Sequence, residues 1–346
     1  MTETTDSLAV HLSAAPHGPL SREHLALVQV QLPRPSPGTV LVRNLCTAID
    51  PHPSPLITSR WRTHSALRVG PMLGQVIRSR SADLPPGTLI THRDGWATHS
   101  VLPRGGYLTR VVAPPPGVPA AEYLSMLGTP GREAYLGLIE ILKIQPGESV
   151  YIGEAADPVG RAAARLARLA GARRVIGGVS SPQAARIAAR DAAFDCILGN
   201  PALTGPQVPR VGGIDCALVT AGQPYLAEAV GLMRDYGRVA WLYRRSPAQD
   251  ASATVDLSAV PERGIRIEGF AAHYHADLYK QIETHLTRKL ASGRLQPGLI
   301  VDTEFSRLPD HLTEAARTGA QVADVFSFAP ALSPDTAMAL GTGETG

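Results

Sequence analysis

Between residues 149 and 170 the chain runs from an apolar stretch, Ser149-Val150-Tyr151-Ile152, through the turn Glu154-Ala155-Ala156-Asp157-Pro158-Val159-Gly160, into an Ala/Leu/Arg helix ending near Ala170. A strand, a tight turn and a helix in that order form the opening unit of a sheet whose strands lie parallel. From Ala121 onward the same texture repeats. Short β-branched runs at Val150–Ile152, Arg174–Gly178, Cys196–Leu198, Asp215–Val219, Gly237–Leu242 and Ile265–Gly269 alternate with Ala/Leu segments. This alternation predicts an α/β domain with a doubly wound parallel sheet covered by helices on both faces. In such a sheet the turn after the first strand is an anion site: backbone NH groups and the helix dipole point at a nucleotide pyrophosphate, and a central glycine lets the backbone come close. Here that central position is Asp157.

The substitution has a definable energy. A carboxylate ~4 Å from a phosphate charge costs about 4 kcal/mol at a near-surface dielectric, as much as a good anchoring contact contributes. The sequence also supplies a structural reason for it. Asp157 followed by Pro158 is a favourable N-cap with proline at the first helical position.

The rest of the chain bounds the architecture. At 346 residues and 44% hydrophobic content it can bury two cores. The formal net charge is only +3, and no run of Lys/Arg interleaved with aromatics exists to track a phosphate backbone, so nucleic acid is not an expected partner. Cys46, Cys196 and Cys216 are widely spaced and suggest neither a disulfide framework nor a zinc lobe; a reducing cytoplasm fits. No apolar stretch approaches the ~20 residues of a membrane span, and no membrane partner is expected. From about Ser7 to Pro119 short apolar runs broken by Pro and Gly predict a β-rich domain, with strands at Leu25–Val30, Thr39–Asn44, Met72–Arg78, Thr88–Ile90, Trp96–Leu102 and Leu108–Val112. A helix is expected over Tyr274–Ala291, a returning strand over Ile300–Phe305, a helix over Leu308–Thr318 and a strand over Ala323–Phe328, with a mobile tail after Pro330.

Several motifs in this order resemble the medium-chain dehydrogenase/reductase superfamily, in its zinc-independent branch of prostaglandin reductases and alkenal double-bond reductases. They are Ile49-Asp50-Pro51, Gly74-Gln75-Val76-Ile77, Gly95-Trp96-Ala97-Thr98-His99-Ser100, Pro130-Gly131 with Ala134-Tyr135-Leu136-Gly137-Leu138, Pro146-Gly147-Glu148, Val159-Gly160 and Gly237-Arg238-Val239, spread from about Asn44 to Phe328. The resemblance implies a discontinuous GroES-like domain (1–120 and 300–330), a Rossmann-type nucleotide domain (121–299), a cleft at their junction, a flexible tail (331–346) and a homodimer. It also implies no metal: zinc-containing relatives carry a cysteine where Asp50 stands. Asp50 and His52 read as a turn before Pro51 and Pro53 rather than a cation pair.

In the family's working members NADPH gives hydride to the β-carbon of an enone, and the positions that hold it carry over one at a time. They are Asp157 and Gly160 at the turn, Ser180 after the second strand, Thr220 in the loop Thr220-Ala221-Gly222-Gln223, and Gln321 in Gln321-Val322-Ala323-Asp324. Glu154 adds a second acid to the turn. The lysine that grips the 2′-phosphate falls at Ala184, where Arg186 or Arg190 is the available substitute. No acid ends the second strand, so NAD is not favoured instead. Glu133 replaces a threonine beside the nicotinamide, and Asp324 replaces a lysine. With so many contacts changed, the expectation is a degenerate site with no cofactor, NADPH being the cofactor if reduction persists.

The cleft then offers acid–base groups. Glu133 reads equally as a partly buried general acid or base and as a surface partner of Arg132. His273, where relatives carry a tyrosine that polarises the substrate enolate, has Tyr274 beside it, and an imidazole is a side chain suited to acid–base work. Tyr243, with Arg244 and Arg245, follows the fifth strand at its ligand-binding end. Trp96, Thr98 and His99 read as packing. The expected function is a reductase-fold enzyme acting on a small α,β-unsaturated carbonyl compound by non-redox chemistry, a cyclisation, conjugate addition or isomerisation within a biosynthetic pathway. The alternative is an NADPH-dependent enoyl or alkenal double-bond reductase, and the third a catalytically silent dimer partner.

Overall fold

The computed structural model describes residues 4–16, 20–50, 61–103, 105–106, 109–199, 213–220, 222–242, 256–299, 301–302, 305–318 and 323–328. The chain separates into two compact units: 1–125 with 299–316 and 322–346, and 126–298 with 317–321.

The first unit is built from strands β1 (Thr5–Leu12), β2 (Leu25–Leu32), β3 (Thr39–Thr47), β4 (Met72–Ser79), β5 (Leu89–His92), β6 (His99–Pro103) and β7 (Arg110–Val111). β1 and β2 form an antiparallel ribbon that the apolar runs did not predict in full, because Thr5–Leu12 mixes polar residues into its buried face. The remaining strands make a sheet to which the end of the chain returns. Its core gathers Val10, Met72, Trp96, Leu308 and Phe326. A buried polar network threads this unit. His92 Nε2 lies 2.8 Å from Asn44 Oδ1, and Asn44 Nδ2 donates to Ala97 O (2.7 Å) and Ser100 Oγ (2.9 Å). Trp96 Nε1 donates to Thr47 Oγ1 (2.9 Å), which gives the Gly95–Ser100 motif a packing role.

The second unit contains β8 (Ser149–Ile152), β9 (Arg174–Val179), β10 (Cys196–Gly199), β11 (Ile214–Val219), β12 (Met233–Leu242) and β13 (Arg266–Phe270). All neighbours are parallel and lie in the order β10-β9-β8-β11-β12-β13, so the chain reverses its direction of travel across the sheet between β8 and β11. All six runs read as strands in the sequence therefore form strands. Helices α1 (Thr129–Tyr135), α2 (Pro158–Leu169), α3 (Pro182–Ala188), α4 (Gln223–Leu232), α5 (Ala259–Glu262) and α6 (Tyr279–Ala291) connect or cover them. β8 and β11 are buried at every position, as a strand covered on both faces must be.

Back in the first unit, the end of the chain returns, over the described residues, as two short strands and a helix. β14 covers Val301–Asp302 and β15 covers Val325–Ser327, with helix α7 (Leu308–Thr318) between. The helix expected from Tyr274 begins at Tyr279, because Ala272–Leu278 winds as a tighter 3-10 segment with a kink at His275. The expected tail beyond Pro330 lies outside the described residues.

Candidate functional site

In an open parallel sheet a ligand sits beyond the carboxyl ends of the strands where the winding reverses, here the ends of β8 and β11. β8 leaves the sheet at Gly153, whose NH donates to Leu218 O (2.9 Å). Glu154 then adopts a left-handed conformation, φ +59°, which costs a non-glycine residue on the order of 1 kcal/mol. The turn closes with Ala155 N to Gly178 O and Asp157 N to Glu154 O, both 2.9 Å.

Asp157 is the N-cap of α2. Its Oδ2 accepts the Val159 NH at 2.8 Å, Pro158 occupies the first helical position, and the residue is only 4% exposed. The carboxylate therefore occupies the place at the helix N-terminus where a pyrophosphate oxygen would accept the same NH. Gly160 lets α2 pack close to the turn, since a Cβ there would run into Glu154 O. Arg161 is buried beside the turn, its Nη1 donating to Ala156 O.

Two hydroxyls stand next to this turn. Thr220, at the end of β11 and fully buried, donates to Gly153 O (3.0 Å). Tyr225, in the first turn of α4, packs against Gly153 and is 1% exposed. Burial pushes the Tyr225 phenol well above its usual range; the charges of Glu154, Glu228 and Asp157 add to this and a hydrogen bond with Ser180 opposes it. Below it Tyr151 Oη donates to Glu228 Oε2 at 2.5 Å, an approach that depends on Gly178 having no side chain. Burial raises the Glu228 carboxyl.

The other sequence-predicted residues fall in different surroundings. Ser180 follows β9, and Ser181 caps α3 by accepting the Ala184 NH (3.1 Å). Ala184 is buried, so the position matched to the phosphate-gripping lysine faces the interior, while Arg186 and Arg190 are exposed on or just past α3. Glu133 is half-buried on α1, and its charge acts on Tyr279 of α6, over whose ring the Arg132 guanidinium lies at 4.8 Å. His273 is exposed and stacks on Tyr274 with ring centroids 4.2 Å apart; Tyr274 is 79% exposed. The structure thus gathers Asp157, Gly160, Ser180 and Thr220 around one turn, places Glu133 at the α1–α6 contact, and sets His273 with Tyr274 on the 3-10 segment. Tyr243, Arg244, Arg245, Gln321 and His52 lie outside the described residues. Tyr225 was missed by the sequence reading; its signal was an aromatic residue just inside the helix that follows the strand at the reversal.

These residues pass a first test for a dinucleotide. The close backbone approach at Gly160 fits one, while the Asp157 carboxylate opposes an anion without removing the helix terminus behind it.

Comparison with known proteins accords with this arrangement. Residues 9–111 match a family described as the N-terminal domain of oxidoreductase. Prostaglandin reductase 1 of Bos taurus is 25% identical over 297 residues, spanning 82% of this chain and 87% of that protein. The NADPH-dependent curcumin reductase of Escherichia coli (strain K12) is 26% identical over 196 residues, spanning 55% of this chain and 56% of that protein. Among solved structures, CurA in complex with NADPH from Vibrio vulnificus superposes with a TM-score of 0.71 at 20% identity, covering 94% of this chain and all of that one.

Proposed function

We propose, for a chain that belongs to the medium-chain dehydrogenase/reductase superfamily on its zinc-independent reductase branch, that it is an NADP(H)-dependent enzyme reducing the carbon–carbon double bond of small α,β-unsaturated carbonyl compounds. The observation that carries this reading is the unit at the sheet's reversal point: β8, a turn closed by backbone bonds, and α2 packed close through Gly160. The names of the relatives, which include an NADPH-dependent reductase, support the cofactor. The expectation of a chain without cofactor, drawn from the acids at the turn, gives way on that support.

In this reading the α2 terminus, Ser180 and Thr220 would hold the dinucleotide, which supplies a hydride equivalent when bound. The chain's own residues then bind the carbonyl compound and manage its proton. His273 stands at the position the family uses to polarise the carbonyl, with Tyr274 stacked on it, so its imidazole is the group we assign to hold a proton for the enolate carbon or oxygen. β13 is the outer strand of its sheet and exposes Arg266, Glu268 and Gly269; this edge, with opposite charges two residues apart, supports a homodimer joined strand to strand.

One observation favours a second reading. The Asp157 carboxylate already accepts the NH that a phosphate would need. If it excludes the dinucleotide, the same fold serves non-redox chemistry on the enone, a cyclisation, conjugate addition or isomerisation, with Glu133 and His273 as the acid–base pair. Titration with NADPH and NADP⁺ by calorimetry at near-physiological salt, together with NADPH oxidation in the presence of a small enal, separates the two. Micromolar binding with turnover supports reduction. Absence of binding at millimolar cofactor sinks it and leaves the non-redox reading, in which Glu133→Ala and His273→Ala each abolish conversion.

A further inference from the structure

We propose that two copies of the chain join antiparallel along β13 with the two-fold axis at Ile267, and that this register lays the partner's Tyr236 against the His273–Tyr274 pair, so that each subunit completes the other's carbonyl site. The inference rests on the homodimer and on the role of His273 given above, and adds to them a register and a residue supplied across the interface.

The charges along the edge select the axis. Among the described residues β13 pairs with β12 alone, in an unbroken register, and Arg266, Glu268 and Gly269 are exposed along it. A side chain at Gly269 would meet nothing nearer than Trp241 O at 4.0 Å, so its absence leaves the strand open to a second backbone. In an antiparallel pair, directly opposed side chains lie about 4.5–5.5 Å apart on one face, where opposite charges attract and like charges destabilise. An axis at Ile267 sets Arg266 opposite the partner's Glu268 and, by symmetry, Glu268 opposite the partner's Arg266. Moving the axis one residue either way opposes glutamate to glutamate or arginine to arginine.

The two ends of the edge carry an independent observation. Tyr236 and Tyr274 are 82% and 79% exposed, and they flank β13. Tyr236 holds a left-handed conformation, φ +60°, and its ring lies 3.0 Å from where a Cβ on Gly264 would stand, just before the strand. Tyr274 follows the strand on the 3-10 segment, so within one subunit the two rings stand about 20 Å apart along the strand direction. Pairing about Ile267 sets Gly264 opposite the partner's Phe270. Each Tyr236 then reaches the end of the other strand, where His273 and Tyr274 stack with centroids 4.2 Å apart. A third ring at that place covers the imidazole from water, which strengthens the hydrogen bond it makes to an enolate oxygen.

Sedimentation of the wild type, of Arg266→Glu and of the swapped variant Arg266→Glu, Glu268→Arg tests the axis; a dimer, a monomer and a restored dimer are expected. A short bis-maleimide should join the subunits of the variant Tyr236→Cys, Tyr274→Cys and of neither single variant, since the native cysteines are buried or half-buried. Finally, Tyr236→Ala and His273→Ala, each impaired alone in NADPH-dependent reduction of a small enal, are co-expressed. About a quarter of wild-type activity should return, because half of the dimers are hybrids and each hybrid holds one site with both His273 and the partner's Tyr236. A monomeric wild type overturns the homodimer reading and this inference together. A wild-type dimer that Arg266→Glu leaves intact, or whose double cysteine variant is not joined, overturns the register alone. A joined dimer with no recovery on co-expression overturns the shared site.

Discussion

Asp157 performs two roles with opposite consequences, and a single substitution separates them. As the N-cap of α2 it satisfies the Val159 NH; as a buried carboxylate at that helix terminus it would oppose a phosphate in the proposed cofactor site. Replacing an aspartate cap by glycine costs only a few tenths of a kcal/mol, whereas removing the charge relieves an opposition of up to about 4 kcal/mol. Asp157→Gly is therefore expected to bind NADPH at least about tenfold more tightly with a nearly unchanged melting temperature, checked by calorimetry and thermal unfolding. Unchanged affinity would mean that the carboxylate does not oppose the phosphates. The residue itself was legible in the sequence, and so was its capping role, because both follow from local spacing. Its burial was not, since that depends on how β9 and β11 close around the turn. Tyr225 marks the opposite limit: its burial against Gly153 comes from the meeting of β8 and α4, which no window of sequence brings together.

At the scale of elements, the six parallel strands were readable because each is a short apolar run set between helix-forming segments, and in β8 and β11 burial on both faces leaves little room for any other pattern. The elements that departed from expectation lack that reinforcement. β1 interleaves Thr5, Asp6 and Ser7 with its apolar residues, and Ala272–Leu278 winds more tightly and kinks at His275 before α6 begins. Tight packing between elements also produces sharp intolerances. The Tyr151 hydroxyl passes so close to Gly178 that a Cβ there would overlap it, and Tyr151 is fully buried and bonded to Glu228. Gly178→Ala is expected to destabilise the protein by about 1–3 kcal/mol, measured by chemical denaturation; a Tyr151→Phe, Gly178→Ala double variant should recover part of the loss because the clashing oxygen is gone. Full additivity of the two changes would refute the contact as the cause.

For the whole molecule, acid should be the weak side. His92 is 1% exposed in the first unit, its Nε2 paired with Asn44, and burial lowers its pKa to about 3. A histidine whose folded pKa lies below its unfolded value stays neutral in the native state at every pH above the folded value. Its stabilising contribution is complete above pH ~6.5 and is lost progressively as the pH falls toward 3, because only the unfolded chain gains the proton, on the order of 4 kcal/mol over the full window. His311, likewise lowered by burial, acts in the same direction. Denaturation midpoints measured at pH 7.5 and pH 5 should show the fall, and His92→Gln should flatten it; an identical slope in the variant would remove His92 as the source. The fold class of both units was available from alternation and motif order, but this pH response was not. His92 and Asn44 stand 48 residues apart, and only the pairing of β3, β4 and β5 makes them neighbours.

The turn after β8 meets most of its own needs. Its backbone groups close on one another, and the first helix terminus already has an acceptor in Asp157. A protein built this way does not depend on a resident nucleotide to complete its fold. The dinucleotide would behave as a visitor, entering and leaving each cycle with little change in the melting temperature beyond what mass action gives, and the empty protein should survive purification and storage intact.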